Sequence, residues 1–361
     1  MKIKTLSLLI LVSLFITCSP SQAYKRIKPS DPNIAYIGRV SLTDPEKAVF
    51  TYPGIQLRAN FTGTSAKLQA KPGSGYFMVE IDDLEPYKVQ SKKTDSTVVL
   101  AVNLPEGEHS LILTYVNEGL VMKPEIHGLL IDDDAKLLGK PTLPQRKIEF
   151  IGNSITCGLG NEGNPNAKKF DYSMQNQYYT YEAIASRELD AQCFVVARSG
   201  IGIYRGNNGN VKGDRQNMQT VYPYLNFGMT GEKWDFNRYT PDVVCVNLGT
   251  NDTSNPGYDM SLLTNAYINF LKTLRSHYPK AKIVLLTGTM IKGKRLEDVK
   301  AAHAAAIKDA KARGDNEVYS FDFTPEDGSC GKGVFNHPSR KRHEKMAEEL
   351  VPFLREITGW N

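Results

Sequence analysis

The sequence predicts two domains of different class: an all-β jelly roll, then an α/β unit whose parallel sheet is flanked by helices. Three observations carry that expectation. Across residues 24–134, short runs of alternating apolar residues are separated by turn residues. Then Asp132, Asp133 and Asp134 are followed by Gly139, Pro141 and Pro144, the composition of a domain boundary. Beyond it, apolar strand-like runs alternate with helical patterns, which implies a parallel sheet covered on both faces.

The amino terminus has a basic start (Lys2, Lys4), an apolar run over 6–16 and a small-residue exit at Ser21-Gln22-Ala23. That run is too short to stay in a bilayer, so residues 1–23 read as a secretory signal peptide and the chain is expected to be exported to the periplasm, cell surface or medium. Cys18 offers a lipid anchor as the alternative, although Phe15 and Thr17 fit such a site poorly. No later apolar run is long enough to span a membrane. With 361 residues, 41% of them hydrophobic, the chain is a globular protein, which excludes disorder and collagen-like repeats. The formal net charge of +5 includes Lys2 and Lys4 and gives no argument for a nucleic-acid partner.

Within 24–134, the runs Tyr36-Ile37-Gly38-Arg39-Val40, 55–61, 76–81 and 109–115 read as strands, with turns at Thr62-Gly63-Thr64, Pro72-Gly73-Ser74-Gly75 and Pro105-Glu106-Gly107. Many short strands at this spacing suggest a sandwich or jelly roll. His109 and His127 stand alone there, without a catalytic constellation. Residues 135–146 are read as a linker. In 147–361 the strand-like runs are 148–151, 193–197, 243–248, 283–286 and 318–323, and helical patterns cover 181–189, 262–277, 296–312 and 340–357.

Four short motifs fall just after the first three of these strands and before the last helix: Gly152-Asn153-Ser154, Ser199-Gly200, Gly249-Thr250-Asn251-Asp252 and Asn336-His337-Pro338-Ser339. Open α/β sheets carry their sites at the carboxyl ends of the strands, so the sheet gathers these side chains at one rim. Ester hydrolysis by serine needs a hydroxyl, an imidazole and donors for the oxyanion. Ser154 supplies the hydroxyl. Among six histidines His337 is the best imidazole, because Pro338 and Ser339 stiffen the chain after it, whereas His277 and His303 sit in helical patterns and His343 is expected on the surface of the last helix. The N–H groups of Ser154 and Gly200 and the amide of Asn251 make a candidate oxyanion hole, each donor worth about 2.7–4 kcal/mol in a dry site.

These motifs, in this order, resemble the blocks of the SGNH (GDSL-type) hydrolases, and the mature chain with its β-rich front half and its Ile155-Thr156-Cys157-Gly158 extension resembles carbohydrate esterase family 2. The resemblance implies a jelly roll before an SGNH domain, an acetylxylan esterase-like serine esterase of acetylated hemicellulose acting through an acetyl-enzyme, Ser154 as nucleophile, His337 as base, and Gly200 and Asn251 as oxyanion donors. Two positions depart from the family: Asn153 stands for the usual aspartate, and Val334 stands three residues before His337 where an aspartate is common. The imidazole must then be oriented by a backbone carbonyl of the 330–335 loop, giving a dyad, or by Glu326 or Asp327. The resemblance favours the dyad.

For sugar binding, Trp234 and Tyr204 are the candidates, both expected in loops on the motif-bearing side. No cofactor or metal is required, and the chain is read as a monomer. Cys157 and Cys330 lie near the catalytic motifs and form a candidate disulfide, while Cys193 and Cys245 fall in strand-like runs. Two alternatives stay open: an SGNH acyl hydrolase of lipid or other esters, and a carbohydrate-binding protein whose hydrolase domain is inactive.

Overall fold

A computed structural model describes residues 23–227 and 231–361. The expected signal peptide, Ala23 apart, and Cys18 lie outside the described residues. The amino-terminal unit contains β1 (Tyr24–Ile27), β2 (Ala35–Ile37), β3 (Ala48–Val49), β4 (Gln56–Thr62), β5 (Ala66–Ala70), β6 (Gly75–Ile81), β7 (Tyr87–Ser91), β8 (Thr97–Ala101), β9 (Glu108–Tyr115) and β10 (Glu125–Asp132), with the short helix α1 (Gly119–Met122) before β10. One antiparallel sheet runs β1-β10-β5-β8, with β3 added to β10, and the other runs β2-β4-β9-β6-β7. With the short β2 and β3 set aside, this interleaving of early and late strands is jelly-roll connectivity. Alternation decides which face is inward: along β4, Leu57, Ala59 and Phe61 are buried and the residues between them are not. Residues 136–138 do not hang free after this unit, because Thr62 N–H donates to Lys136 O and Leu138 N–H to Asn60 O.

The second unit contains, in order, β11 (Arg146–Gly152), α2 (Ser154–Cys157), α3 (Tyr181–Glu188), β12 (Ala191–Ala197), α4 (Met218–Val221), β13 (Val243–Leu248), α5 (Met260–His277), β14 (Lys282–Thr287), α6 (Lys294–Ala312), β15 (Val318–Asp322) and α7 (Arg340–Thr358). The sheet is parallel in the order β12-β11-β13-β14-β15. Every residue of β12 and β13 is buried, as strands covered on both faces must be. Helices α3 and α7 pack together on one face and α5 and α6 on the other. The strand order reverses at β11, whose two neighbours continue in opposite directions, and the crevice that opens there is where such sheets bind ligands. Among the described residues no helix is long and apolar enough to cross a membrane.

The two units share one apolar core, which runs from Phe50 and Leu57 through Phe227 and Trp234 to Phe194 and Val246. Gly54 of the first unit lies so close to Gln177 and Val195 of the second that a Cβ there would come within 2.9–3.0 Å of them. A buried ion pair crosses the same boundary. Arg39, just after β2, points Nη2 at Glu149 Oε1 of β11 at 3.4 Å, and both side chains are fully buried. Arg39 Nη1 also donates to the carbonyls of Tyr222 and Tyr224, and Tyr222 O–H donates to Glu149 Oε2 at 3.0 Å. Burial pushes the Glu149 carboxyl up, while Arg39 pulls it back.

Removing one partner of such a pair leaves an uncompensated buried charge and costs about 3–5 kcal/mol, whereas replacing both by apolar groups is often close to neutral. Arg39→Met is therefore expected to lower the unfolding free energy by about that much in urea titrations. Adding Glu149→Leu should recover most of the loss, and a double variant no more stable than the single one would show that the pair is not the cause.

Candidate active site

Gly152 ends β11 and permits the turn into α2, because a Cβ there would sit 2.1 Å from Thr156 Oγ1. Asn153 then caps α2: its Oδ1 accepts from Ile155 N–H at 3.0 Å and its Nδ2 donates to Asn247 O of β13 at 3.2 Å. An ionised aspartate supplies the first bond but has no hydrogen for the second, so asparagine ties the Ser154 turn to the neighbouring strand. The cap holds Ser154 at the first position of α2, where the N–H has no partner inside the helix.

Ser154 Oγ lies 2.8 Å from His337 Nε2. The other ring nitrogen, Nδ1, lies 3.1 Å from Val334 O. A carbonyl only accepts, so Nδ1 carries the hydrogen and Nε2 presents its lone pair to the serine hydroxyl. Burial pushes the His337 pKa below the usual histidine value, against the opposing pull of the Val334 and Phe335 carbonyls. The Val334 side chain is fully buried against Gly160 and Gly163, positions where a Cβ would come within 2.7 and 2.3 Å of it. A carboxylate there would lose its hydration, so the backbone carbonyl orients the ring instead. Presenting that carbonyl takes two successive left-handed residues, Phe335 (φ 54°) and Asn336 (φ 60°), a conformation that costs non-glycine residues about 1–3 kcal/mol each. The loop is held by Gly333 N–H to His337 O (2.8 Å) and by Val334 N–H to Gly160 O (3.0 Å). Neither Glu326 nor Asp327 serves the imidazole. Glu326 accepts from Gly328 N–H and lies 3.6 Å from Arg342, while Asp327 accepts from Ser329 N–H and O–H.

Ser154, Gly200, Asn251 and His337 line one pocket of about 480 Å³, together with Leu159, Asn207, Met290 and Phe335. Gly200 is left-handed at φ 77° and, among the described residues, its N–H and that of Ser154 have no acceptor. Asn251 Nδ2 spends one hydrogen on Ile201 O at 2.7 Å, which leaves the second for a ligand. Asp252, the last residue of the same motif, is buried and accepts from the N–H groups of Gly249, Ile203, Tyr204 and Arg205 at 2.9–3.2 Å. It pins the loop after β12 to the end of β13. The motif placed Asp252 in view; its role needed the loop's path. Among the described residues no group of three or more His, Cys, Asp or Glu side chains converges as a cation site.

Three expectations are corrected. Trp234 and Tyr204 do not line the pocket: both are buried in the shared core, Trp234 between Phe194 (5.6 Å) and the Arg39 and Arg238 guanidinium groups, and Tyr204 with its hydroxyl accepting from Asp259 N–H. Burying these rings outweighs displaying them, and the aromatic at the pocket is Phe335, 51% exposed. Cys157 and Cys330 are both free and buried, as are Cys193 and Cys245; burial, and after it the charge of Glu118, pushes the Cys157 thiol up, and Cys330 Sγ lies beside Ser329 Oγ at 3.8 Å. His343 is fully buried on the inner face of α7, with Nδ1 accepting from Tyr181 N–H, and its pKa is pushed down to about 3.

Residues 36–141 match the amino-terminal domain of carbohydrate esterase 2, and residues 150–346 match the GDSL-like lipase/acylhydrolase family. The cellulase/esterase CelE of Acetivibrio thermocellus is 37% identical over 336 residues, which is 91% of this chain but only 40% of that protein's length. An acetylxylan esterase / glucomannan deacetylase of Cellvibrio japonicus is 32% identical over 342 residues, covering 92% of this chain and 91% of that protein. A family two carbohydrate esterase from Clostridium thermocellum, solved in complex with cellohexaose, superposes with a TM-score of 0.83 at 35% identity, covering 91% of this chain and all of the other.

The geometry generates two expected outcomes. Only the neutral imidazole takes a proton, and burial lowers the His337 pKa, so kcat/KM should fall on acidification with an inflection below pH 6.5. An inflection at pH 7 or above in the pH–rate profile would contradict the buried ring. Replacing Glu326 by Gln and Asp327 by Asn together should leave kcat/KM within about threefold of the parent; loss of turnover in the folded double variant would mean that a carboxylate reaches the imidazole.

Proposed function

Because the chain belongs to carbohydrate esterase family 2, we propose that it removes O-acetyl groups from plant cell-wall polysaccharides of the xylan or glucomannan type, by way of an acetyl group carried on Ser154. The observation that carries this reading is the 2.8 Å bond from Ser154 Oγ to His337 Nε2 inside a pocket that also holds unpaired amide hydrogens. In the first half-reaction the Ser154 proton passes to Nε2 while Oγ attacks the acetyl carbon. The N–H groups of Ser154 and Gly200 and the free hydrogen of Asn251 receive the oxyanion. Collapse expels the sugar hydroxyl, which takes the proton from Nε2. Water then gives a proton to the same nitrogen as it attacks the acetyl-serine, and collapse breaks the bond to Ser154 Oγ, which takes the proton back from Nε2 as acetate leaves. Throughout, Val334 O holds the ring and accepts from Nδ1–H as the imidazolium forms.

A polymeric substrate is supported by the ground around the pocket. A hollow lined by Arg198, Asp214 and Gln216 adjoins it through Ser199, Gly200 and Asn207, and another lined by Lys292, Lys332 and Asn336 adjoins it through Met290. Phe335 offers an apolar face to a sugar ring on the pocket wall. Substrate class is supported by the Cellvibrio japonicus relative, named an acetylxylan esterase / glucomannan deacetylase. An exported location is supported by the leader-like residues 1–23.

Ser154→Ala should reduce acetate release from acetylated xylan and glucomannan by about ten-thousandfold or more; undiminished release would remove Ser154 from the mechanism. Phe335→Ala should raise KM on these polymers about fivefold, the loss of roughly 1 kcal/mol of ring contact, and leave KM on p-nitrophenyl acetate unchanged. An equal change on both substrates would show that Phe335 shapes the site rather than gripping sugar.

A further inference from the structure

The Gly200 N–H has no steric device to aim it. No atom lies within 4 Å of where a Cβ would be, and a left-handed glycine in open space has wide conformational freedom. Its direction must therefore come from hydrogen bonds on either side, beyond the long 3.4 Å bond from Ile201 N–H to Arg198 O that closes the turn around it. On the far side, Gly200 O accepts from Asn207 N–H at 2.8 Å. On the near side the partner is in the other domain. Glu118, at the start of α1 in the jelly roll, reaches across the boundary and its Oε1 accepts from Ser199 N–H at 2.6 Å. Its Oε2 accepts from the Ser199 hydroxyl and from Gln175 Nε2 at 3.3 Å.

Every partner of the Glu118 carboxylate is thus a donor, which suits the ionised, acceptor-only form. Burial pushes the carboxyl up, and the Ser199 and Gln175 donors pull it back. The segment carrying Glu118 is itself fixed to the catalytic unit, because Asn117 Nδ2 donates to Tyr172 O at 2.9 Å and Gln177 N–H donates to Val116 O at 3.1 Å. We infer that Glu118 is a positioning residue for the oxyanion hole: by holding Ser199 at both its N–H and its hydroxyl, the jelly roll aims the adjoining Gly200 N–H at the acyl oxygen. The jelly roll is then a working part of the catalytic site. This rests on the reading of Gly200 as an oxyanion donor.

The test is Glu118→Gln in the full chain, assayed on p-nitrophenyl acetate alongside Ser154→Ala. Glutamine keeps the size and one acceptor but turns an NH2 group toward the Ser199 hydroxyl and Gln175. Losing an oxyanion donor outright lowers kcat about 100- to 1000-fold, so misdirecting one should lower it about 10- to 100-fold. KM should stay within about twofold, and the acid limb set by His337 should not move, since the loss is in oxyanion binding and not in the base. A merely structural role would lower the melting temperature without this split. Wild-type kcat in a folded Glu118→Gln variant, with Ser154→Ala inactive, would overturn the inference and leave the esterase reading standing. Full turnover in Ser154→Ala would overturn both. Should Glu118→Gln fail to fold, Glu118→Asp and Ser199→Ala carry the same test, since each weakens one arm of the clamp; reduced kcat with steady KM supports it, and wild-type kcat in both overturns it.

Discussion

The Ser154–His337 geometry depends on one hydrogen bond to the backbone, from His337 Nδ1–H to Val334 O. A peptide carbonyl is a dipole and not a full charge, so it fixes the tautomer and the ring plane but stabilises an imidazolium less than an aspartate would. On the proposed mechanism more of the transition-state stabilisation then falls on the oxyanion donors. The carbonyl is also costly to aim. It requires the left-handed pair Phe335 and Asn336, a Val334 side chain locked between two glycines, and the Val334 N–H bond that ties this loop to the loop after the nucleophile. Phe335 reaches the pocket as a result of the same turn, so the device that orients the imidazole also places an aromatic face beside it.

The parts of the site on the parallel sheet were legible in the sequence because sheet physics does the gathering. Ser154, Gly200 and Asn251 each come directly after a strand-like run, and parallel strands deliver the residues at their carboxyl ends to one rim. The parts that depend on which way a side chain faces were not legible. Trp234 and Phe335 are both aromatic residues in stretches outside the strand-like runs, and composition does not say that one turns into the core while the other stays half exposed. His343 had a signal: it shares a face with Met346, Ala347, Leu350 and Leu354, and the three-and-four spacing of that buried stripe includes it. Glu118 had none, since its partner Ser199 lies 81 residues away in another domain.

Among the contacts that join the jelly roll and the α/β unit are a continuous apolar core, the buried Arg39–Glu149 pair and the Glu118 carboxylate. The first is tolerant of small shifts, because apolar contacts lack direction. The other two are not. A buried charge displaced from its partner loses much of the attraction that offset its desolvation, so these pairs fix the relative placement of the two units. That accuracy serves the pocket, since Glu149 lies on β11, the strand that ends at the nucleophile turn.

The strand β12 is the outermost of the parallel sheet, and β2 and Gly54 of the jelly roll pack against it. An end strand whose residues are all buried and, Gln192 apart, apolar has no device of its own against pairing with a foreign chain. The jelly roll therefore also acts as a stopper: an excised hydrolase half would expose a sticky flank and drift toward self-association, which makes the two halves a poor pair to separate by engineering.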